Sequence, residues 1–258
     1  MTPIALTIAG SDPSGGAGIQ ADLKTFHQFG VYGTSVISLL TVQNTLRVSA
    51  VKPLPASIVL AQLNAVLEDL TPQAVKTGAL GSAEIVELVA ERADRLPFLV
   101  VDPVIMSKKG KPLLDEDGTV ALIRSLLPRA YLVTPNVQEA ALIVGRELTN
   151  VTALKEAARL IADMGPKAVL VKGGHLGTEA TDVLYYNRNI DTLPAARIQS
   201  QHTHGTGCAY SAAITALLAK GVELTEAVHT AKRYITRAIE TSPGIGQGCG
   251  PINHFATP

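Results

Sequence analysis

A chain of 258 residues that is 47% apolar but only 4% aromatic, with no Trp, can build one large α/β core, and it has few rings to stack on nucleic-acid bases. Its 22 Lys and Arg balance its 22 Asp and Glu, so no net field draws it to polyanions or acidic membranes, and any phosphate must be caught by a local site. Cys208 and Cys249 are too few for a disulfide scaffold and have no metal ligands at short spacing, and no run of about 18 apolar residues is present to span a membrane.

The reading is therefore a reduced, cytoplasmic protein with a single domain over residues 1–258. Residues 1–10 are apolar but carry no basic leader and meet Ser11-Asp12-Pro13 too soon for a signal segment. They read as a first strand over residues 4–9. The glycine-rich run from Gly10 to Gly18 follows, and helical spacing begins at Ile19, Leu23 and Phe26. These glycines depart from the dinucleotide spacing G-x-G-x-x-G, and no acidic residue follows the second strand, which argues against a dinucleotide site. Asp12, at the strand's end, suits a substrate hydroxyl, or simply a turn before proline.

Residues 36–42 form a β-rich segment closing on Gln43, whose amide can both donate to and accept from an aminated heteroaromatic ring. A helix begins near Pro55 and runs toward Pro72. A brief strand over residues 74–77 ends at Gly78. A helix over 82–95 leads to an apolar run over 98–101 that meets Asp102-Pro103-Val104, and its continuous apolarity fits a parallel strand covered on both faces. The run Ser107-Lys108-Lys109-Gly110-Lys111-Pro112 reads as a solvated loop or as lysines leaning over a phosphate.

A helix follows over 115–127, then a strand over 130–133 that leads to Asn136 and Glu139. That pair forms a capping-box pattern as well as a candidate polar site. After a helix over 152–164, the strand 168–171 ends in Lys172-Gly173-Gly174-His175, and residues 181–186 and 190–198 read as an edge hairpin.

Residues 201–209, Gln-His-Thr-His-Gly-Thr-Gly-Cys-Ala, run into a helix of small residues. Gly205, Thr206 and Gly207 at a helix start would leave backbone N–H groups free for an anion. Cys208 in that first turn is either a thiol whose pKa the helix dipole lowers or an inert buried residue. A last helix spans 223–239. Alternating strands and helices predict a mostly parallel sheet with helices on both faces. Asp12, Gln43, Gly78, Asp102, Asn136, Lys172 and the Gly205 turn all fall at strand carboxyl ends, where such folds bind ligands.

Several stretches together carry a family resemblance that covers nearly the whole chain. They are residues 9–26, Val42-Gln43-Asn44-Thr45, Thr134-Pro135-Asn136 with Glu139, Val171-Lys172-Gly173-Gly174-His175, Thr203-His204-Gly205-Thr206-Gly207-Cys208, and the terminal His254-Phe255. The chain resembles the hydroxymethylpyrimidine and phosphomethylpyrimidine kinases of thiamine biosynthesis, in the ribokinase superfamily. The resemblance implies a ribokinase-like fold, a homodimer, and Mg²⁺- and ATP-dependent phosphorylation of a hydroxymethylpyrimidine and then of its monophosphate.

Carried over by position, the Gly205-Thr206-Gly207-Cys208 turn holds the transferred phosphoryl group, with Cys208 where other members place an Asp base. Gln43 pairs with the pyrimidine, with Asp12, Gly78 and Val104 near it. Asn136 and Glu139 serve the Mg²⁺ and phosphate side, with Glu139 reaching the metal through water. Lys172, Gly173 and Thr203 lie near ATP. Two departures bear on substrate choice: Lys76-Thr77-Gly78-Ala79 lacks the usual Met, and His202 stands where Asn is usual. Pyridoxal or pyridoxine kinase, and a non-catalytic pyrimidine or nucleotide sensor, are the alternatives.

Overall fold

In the computed structural model, which describes residues 2–174 and 179–257, the apolar runs pair into one nine-stranded sheet. In chain order its strands are β1 (Ile4–Ser11), β2 (Tyr32–Gln43), β3 (Val48–Pro53), β4 (Ala74–Thr77), β5 (Val100–Val101), β6 (Leu132–Val133), β7 (Ala168–Val171), β8 (Asp182–Tyr186) and β9 (Asn189–Leu193). They lie in the order β3-β2-β1-β4-β5-β6-β7-β8-β9. From β2 through β7 every neighbouring pair is parallel, and antiparallel β3, β8 and β9 close the two ends.

Period-2 alternation within these short strands sends successive side chains into two different cores. Val75, Val101, Val133, Val169 and Val171 face one side. There they meet α2 (Ala56–Asp69), α3 (Ala83–Ala90), α5 (Val137–Val144) and α6 (Val151–Ala162). Ala74, Val100, Leu132, Ala168 and Leu170 face the other. That side is covered by α1 (Gly18–Gln28), α7 (Thr206–Ala219) and α8 (Leu224–Glu240). The mostly parallel α/β sheet with helices on both faces is thus as expected. Every residue of α7 from Ala209 to Ala219 is buried. Its many small side chains let it wedge between the sheet and its neighbouring helices.

The local differences have physical causes. β3 was not anticipated, because its residues are half-buried or exposed and alternate weakly; pairing with β2 makes it a strand. Phe98 adopts φ 43°, which keeps it out of β5. The stretch expected as one helix over 115–127 begins as α4 (Glu116–Ala121), widens to a π turn over Leu122–Leu126 and tightens to a 3₁₀ turn over Leu127–Arg129, where Pro128 ends the winding. The β8–β9 hairpin turns through Asn187 and Arg188, both at positive φ, as a two-residue primed turn requires. β9 stops at Leu193, since the next residue, Pro194, has no N–H for the ladder.

Candidate active site

Gly205 caps α7 in the left-handed region, at φ 77°, and a Cβ there would lie 1.8 Å from the Gly16 carbonyl oxygen. The glycine loop after β1 therefore packs directly on the turn that opens α7, an approach only glycine allows. The Thr206 hydroxyl donates to the Thr203 carbonyl at 2.8 Å, and the first bond of the regular helix runs from Ala209 N–H to the Gly205 carbonyl at 2.9 Å. Among the described residues no protein acceptor takes the N–H groups of Gly205, Gly207 or Cys208. They form the donor set of an anion cradle.

The cation beside this cradle is Lys172, which follows β7. A Cβ on Gly207 would lie 3.2 Å from its Nζ. The ammonium is 2.8 Å from Asp102 Oδ1, an oxygen that also accepts from the Thr134 hydroxyl at 3.1 Å, and Ser211 Oγ donates to Asp102 Oδ2 at 3.3 Å. Burial pulls the lysine toward neutrality, but Asp102 first, then Glu139, keep it protonated.

Asn136 and Glu139 do form a capping box. Asn136 N–H donates to Glu139 Oε2 at 2.8 Å, and Glu139 N–H donates to Asn136 Oδ1 at 2.9 Å. The local pattern and the site are compatible, because the same carboxyl is buried near Lys172. Burial pushes it up to about 7, with Lys172 opposing and Asp102 reinforcing the shift.

Asp12 organises the glycine loop. One carboxylate oxygen accepts from Ser14 N–H and Oγ at 2.8 and 2.7 Å. The other accepts from Gly16 N–H at 3.2 Å and Ala17 N–H at 2.8 Å, and lies 2.8 Å from His204 Nε2. Burial alone would raise its pKa, but hydrogen bonds from His204, Ser14 and Gln43 hold it well below the usual carboxylate range. Both oxygens are thus engaged within the protein. Gln43 meets Asp12 directly, and the turn-forming role of Asp12 is satisfied in full.

The other candidate positions divide. Gly78 sits where a Cβ would come within 3.0 Å of Ala9 Cβ, so glycine is needed for strand packing. Val104 N–H donates to the Asp102 carbonyl at 2.8 Å and so tightens the turn after β5. Gly173 N–H is already given to Asp182 Oδ1 at 2.8 Å, and a Cβ there would fall 1.8 Å from the Thr181 carbonyl oxygen. That packing requirement accounts for the glycine. His175 lies outside the described residues.

Of the three lysines after Ser107, Lys111 donates to the Ser49 carbonyl at 2.8 Å. Lys108 donates to Thr203 Oγ1, next to the cradle, and also meets the Cys249 thiol. The loop therefore leans over the turn.

Of the two readings of Cys208, a thiol with a lowered pKa or an inert buried residue, the surroundings favour the second. The residue is half-buried, but its thiol lies among buried charges, and desolvation pushes it up to about 12. Lys76 and a hydrogen bond from Gly18 N–H favour the thiolate, whereas Asp22 and Asp102 oppose it. The favourable dipole of α7 is outweighed by the loss of water. Lys76 and Asp22, beside this thiol, and His204, on Asp12, carried no assigned role in the sequence. The available signal was a lysine inside a fully buried four-residue strand, Ala-Val-Lys-Thr.

Comparison with known proteins gives this arrangement a family. The Phosphomethylpyrimidine kinase family model matches residues 12–253. The chain belongs to the phosphomethylpyrimidine kinase family. A hydroxymethylpyrimidine/phosphomethylpyrimidine kinase of Rhizobium meliloti is 51% identical over 260 residues, covering 99% of this chain and 98% of the relative. Among solved structures, a phosphomethylpyrimidine kinase of Clostridium difficile is 47% identical with a TM-score of 0.82, covering 92% of this chain and 100% of that one. The ADP complex of a Bacillus subtilis pyridoxal kinase is 39% identical with a TM-score of 0.91, covering 99% and 98%. The phosphomethylpyrimidine kinase family thus shares its ribokinase-like fold with enzymes named for a second vitamin.

Proposed function

We propose that this chain is an ATP-dependent kinase that phosphorylates 4-amino-5-hydroxymethyl-2-methylpyrimidine and then its monophosphate. The observation that carries the reading is the open N-terminus of α7, with uncommitted N–H groups beside the Lys172–Asp102 pair, in a chain of this family. The substrate oxygen attacks the terminal phosphorus of ATP as the bond to the ADP oxygen breaks. Phosphoryl transfer of this loose kind depends mainly on positioning and charge stabilisation. The N–H groups of Gly205, Gly207 and Cys208 face the charge that develops on the transferred group, and Lys172 adds a full positive charge.

Gln43 orients the pyrimidine, and its bond to Asp12 fixes the amide. Gly78 and Val104 line the substrate side, and Gly173 and Thr203 the nucleotide side. Cys208 is a neutral thiol in the resting site, so it orients the acceptor hydroxyl and accepts the hydroxyl proton only when it is in its minor thiolate form. Glu139 fits a water-bridged Mg²⁺, because its buried carboxyl, pushed up to about 7, lacks sufficient positive charge around it. Bound there, the ion would neutralise charge on the nucleotide phosphates. A two-fold dimer in the cytoplasm completes the reading. The dimer and the location are what the family resemblance implies; both cysteines are free, as a reducing compartment would leave them.

Coupled ATP turnover with the pyrimidine, its monophosphate and pyridoxal tests the assignment. Both pyrimidines are expected to turn over faster than pyridoxal. The second reading, a pyridoxal kinase, is favoured by structural likeness to pyridoxal kinases, one of them from Staphylococcus aureus solved with pyridoxal and AMP-PCP. Faster turnover of pyridoxal would establish it. Calorimetric binding of the pyrimidine with no turnover would establish a sensor instead.

A further inference from the structure

His204 takes no step in the mechanism above, yet it stands directly before the cradle and is held through both its ring and its backbone. Its Nε2 lies 2.8 Å from Asp12 Oδ2, and because an ionised carboxylate only accepts, the imidazole donates. Its backbone N–H donates to the Gly250 carbonyl at 3.0 Å, where His204 and Pro251 form a parallel bridge. The ring packs on the glycine loop: a Cβ on Gly16 would lie 2.6 Å from His204 Cδ2 and 3.2 Å from Pro251 Cβ. The C-terminal tail that supplies Gly250 is itself fixed. Cys249 N–H donates to the Thr45 carbonyl at 3.0 Å, and a Cβ on Gly250 would lie 2.4 Å from the Ile245 carbonyl oxygen.

These contacts act on the peptide that carries the first cradle donor. With the N–H and the side chain of His204 both held, the remaining bond from its Cα, which leads to the Gly205 peptide, has a fixed direction. The far end of that peptide is pinned as well, because Gly205 packs against the Gly16 carbonyl. Asp12 Oδ2 accepts from Gly16 N–H and Ala17 N–H as well as from His204, so one oxygen ties the glycine loop to the turn. An apolar side chain could fill the space of the ring, but it could not make this tie.

We propose that His204 is a positioning residue for phosphoryl transfer: by donating to Asp12 from its ring and to Gly250 from its backbone, it sets the direction of the Gly205 N–H in the cradle. This rests on the kinase reading above. A cradle donor contributes most when it points at the charge developing on the transferred group, so a tilted Gly205 peptide weakens the transition state more than the bound nucleotide.

The test compares two variants of the full chain. His204→Leu keeps bulk and removes the ring donor, whereas His204→Gln returns a donor near the place of Nε2. Turnover of the pyrimidine with ATP is measured together with amide hydrogen exchange over residues 14–17 and 203–207, which needs no turnover. His204→Leu should lower kcat about 100-fold, as loss of an oxyanion donor does, with KM for ATP little changed. It should also speed exchange at Gly16, Ala17 and residue 204 about tenfold. His204→Gln should restore kcat to within about tenfold of the unmodified enzyme and slow the exchange again. An unchanged kcat in His204→Leu, equal losses in the two variants, or unchanged exchange would reduce the ring to packing and overturn the proposal. Should His204→Leu not fold, His204→Asn, whose amide falls short of Asp12, takes its place in the same comparison. Absence of turnover in the unmodified protein would defeat the kinase reading and leave the exchange comparison standing.

Discussion

Asp102 accepts the Lys172 ammonium at 2.8 Å, with the carboxylate side chain 2% and the lysine side chain 13% exposed. The pair joins the end of β5 to the end of β7 under the first turn of α7. Asp102→Asn would leave the lysine buried with only Glu139 to compensate it. Breaking a buried pair in this way costs roughly 3–5 kcal/mol. A clear drop in Tm is expected, together with an activity loss of about 100-fold from displacement of the cation. Thermal unfolding and ATP turnover read the two effects separately, and an unchanged Tm would show that Glu139 suffices as counter-charge.

The two cradle glycines should differ in tolerance. Gly205→Ala meets both a left-handed backbone and the Gly16 carbonyl 1.8 Å away, whereas Gly207→Ala meets the flexible Lys172 ammonium at 3.2 Å. Loss of turnover by about 100-fold is expected for the first and about tenfold for the second. Equal effects would mean that backbone strain is not what matters at Gly205.

Cys208→Ala should fold and bind ATP normally but turn over about 100-fold more slowly, the lower range for general acid–base assistance. Because the thiol is pushed up to about 12, the thiolate fraction of the unmodified enzyme grows with pH throughout the neutral and alkaline range. Its rate should climb over that range, and the climb should vanish in the variant. Equal rates in the two proteins would exclude Cys208 as the base.

Glu139 provides a stability signature. Its carboxyl moves from 4.5 to about 7 on folding, so between those values the folded chain binds more protons than the unfolded chain. Stability contributed at this site therefore falls as pH rises through that window and levels off above it. Glu139→Gln retains a capping-box acceptor for Asn136 N–H and removes the titration. Calorimetric Tm values from about pH 4.5 to about pH 7.5 should fall less steeply in the variant. Parallel curves would show that the buried carboxyl is neutralised by other groups.

Much of this was legible in the sequence because the information is local. Parallel strands covered on both faces give continuous apolar runs, and glycine and proline mark where they end, so the order of strands and helices could be read directly. β3 was invisible because nothing in Val48–Pro53 buries strongly; its partner strand creates it. Asn136 and Glu139 show the same limit differently. Their spacing predicts a capping box, which forms, but only the fold brings Lys172 and Asp102 close enough to shift the carboxyl.

The Gly-Thr-Gly-Cys turn was determined by sequence alone, since a glycine at positive φ and unpaired N–H groups at a helix start follow from backbone sterics and hydrogen-bond geometry. What the sequence could not determine is the state of Cys208. A helix dipole acts over one turn and favours thiolate, but desolvation and the charges of Lys76, Asp22 and Asp102 come from β4, α1 and the end of β5. Those groups lie far apart in the chain, and only tertiary packing decides that burial prevails and that the lysine behind the thiol is the cation opposing it.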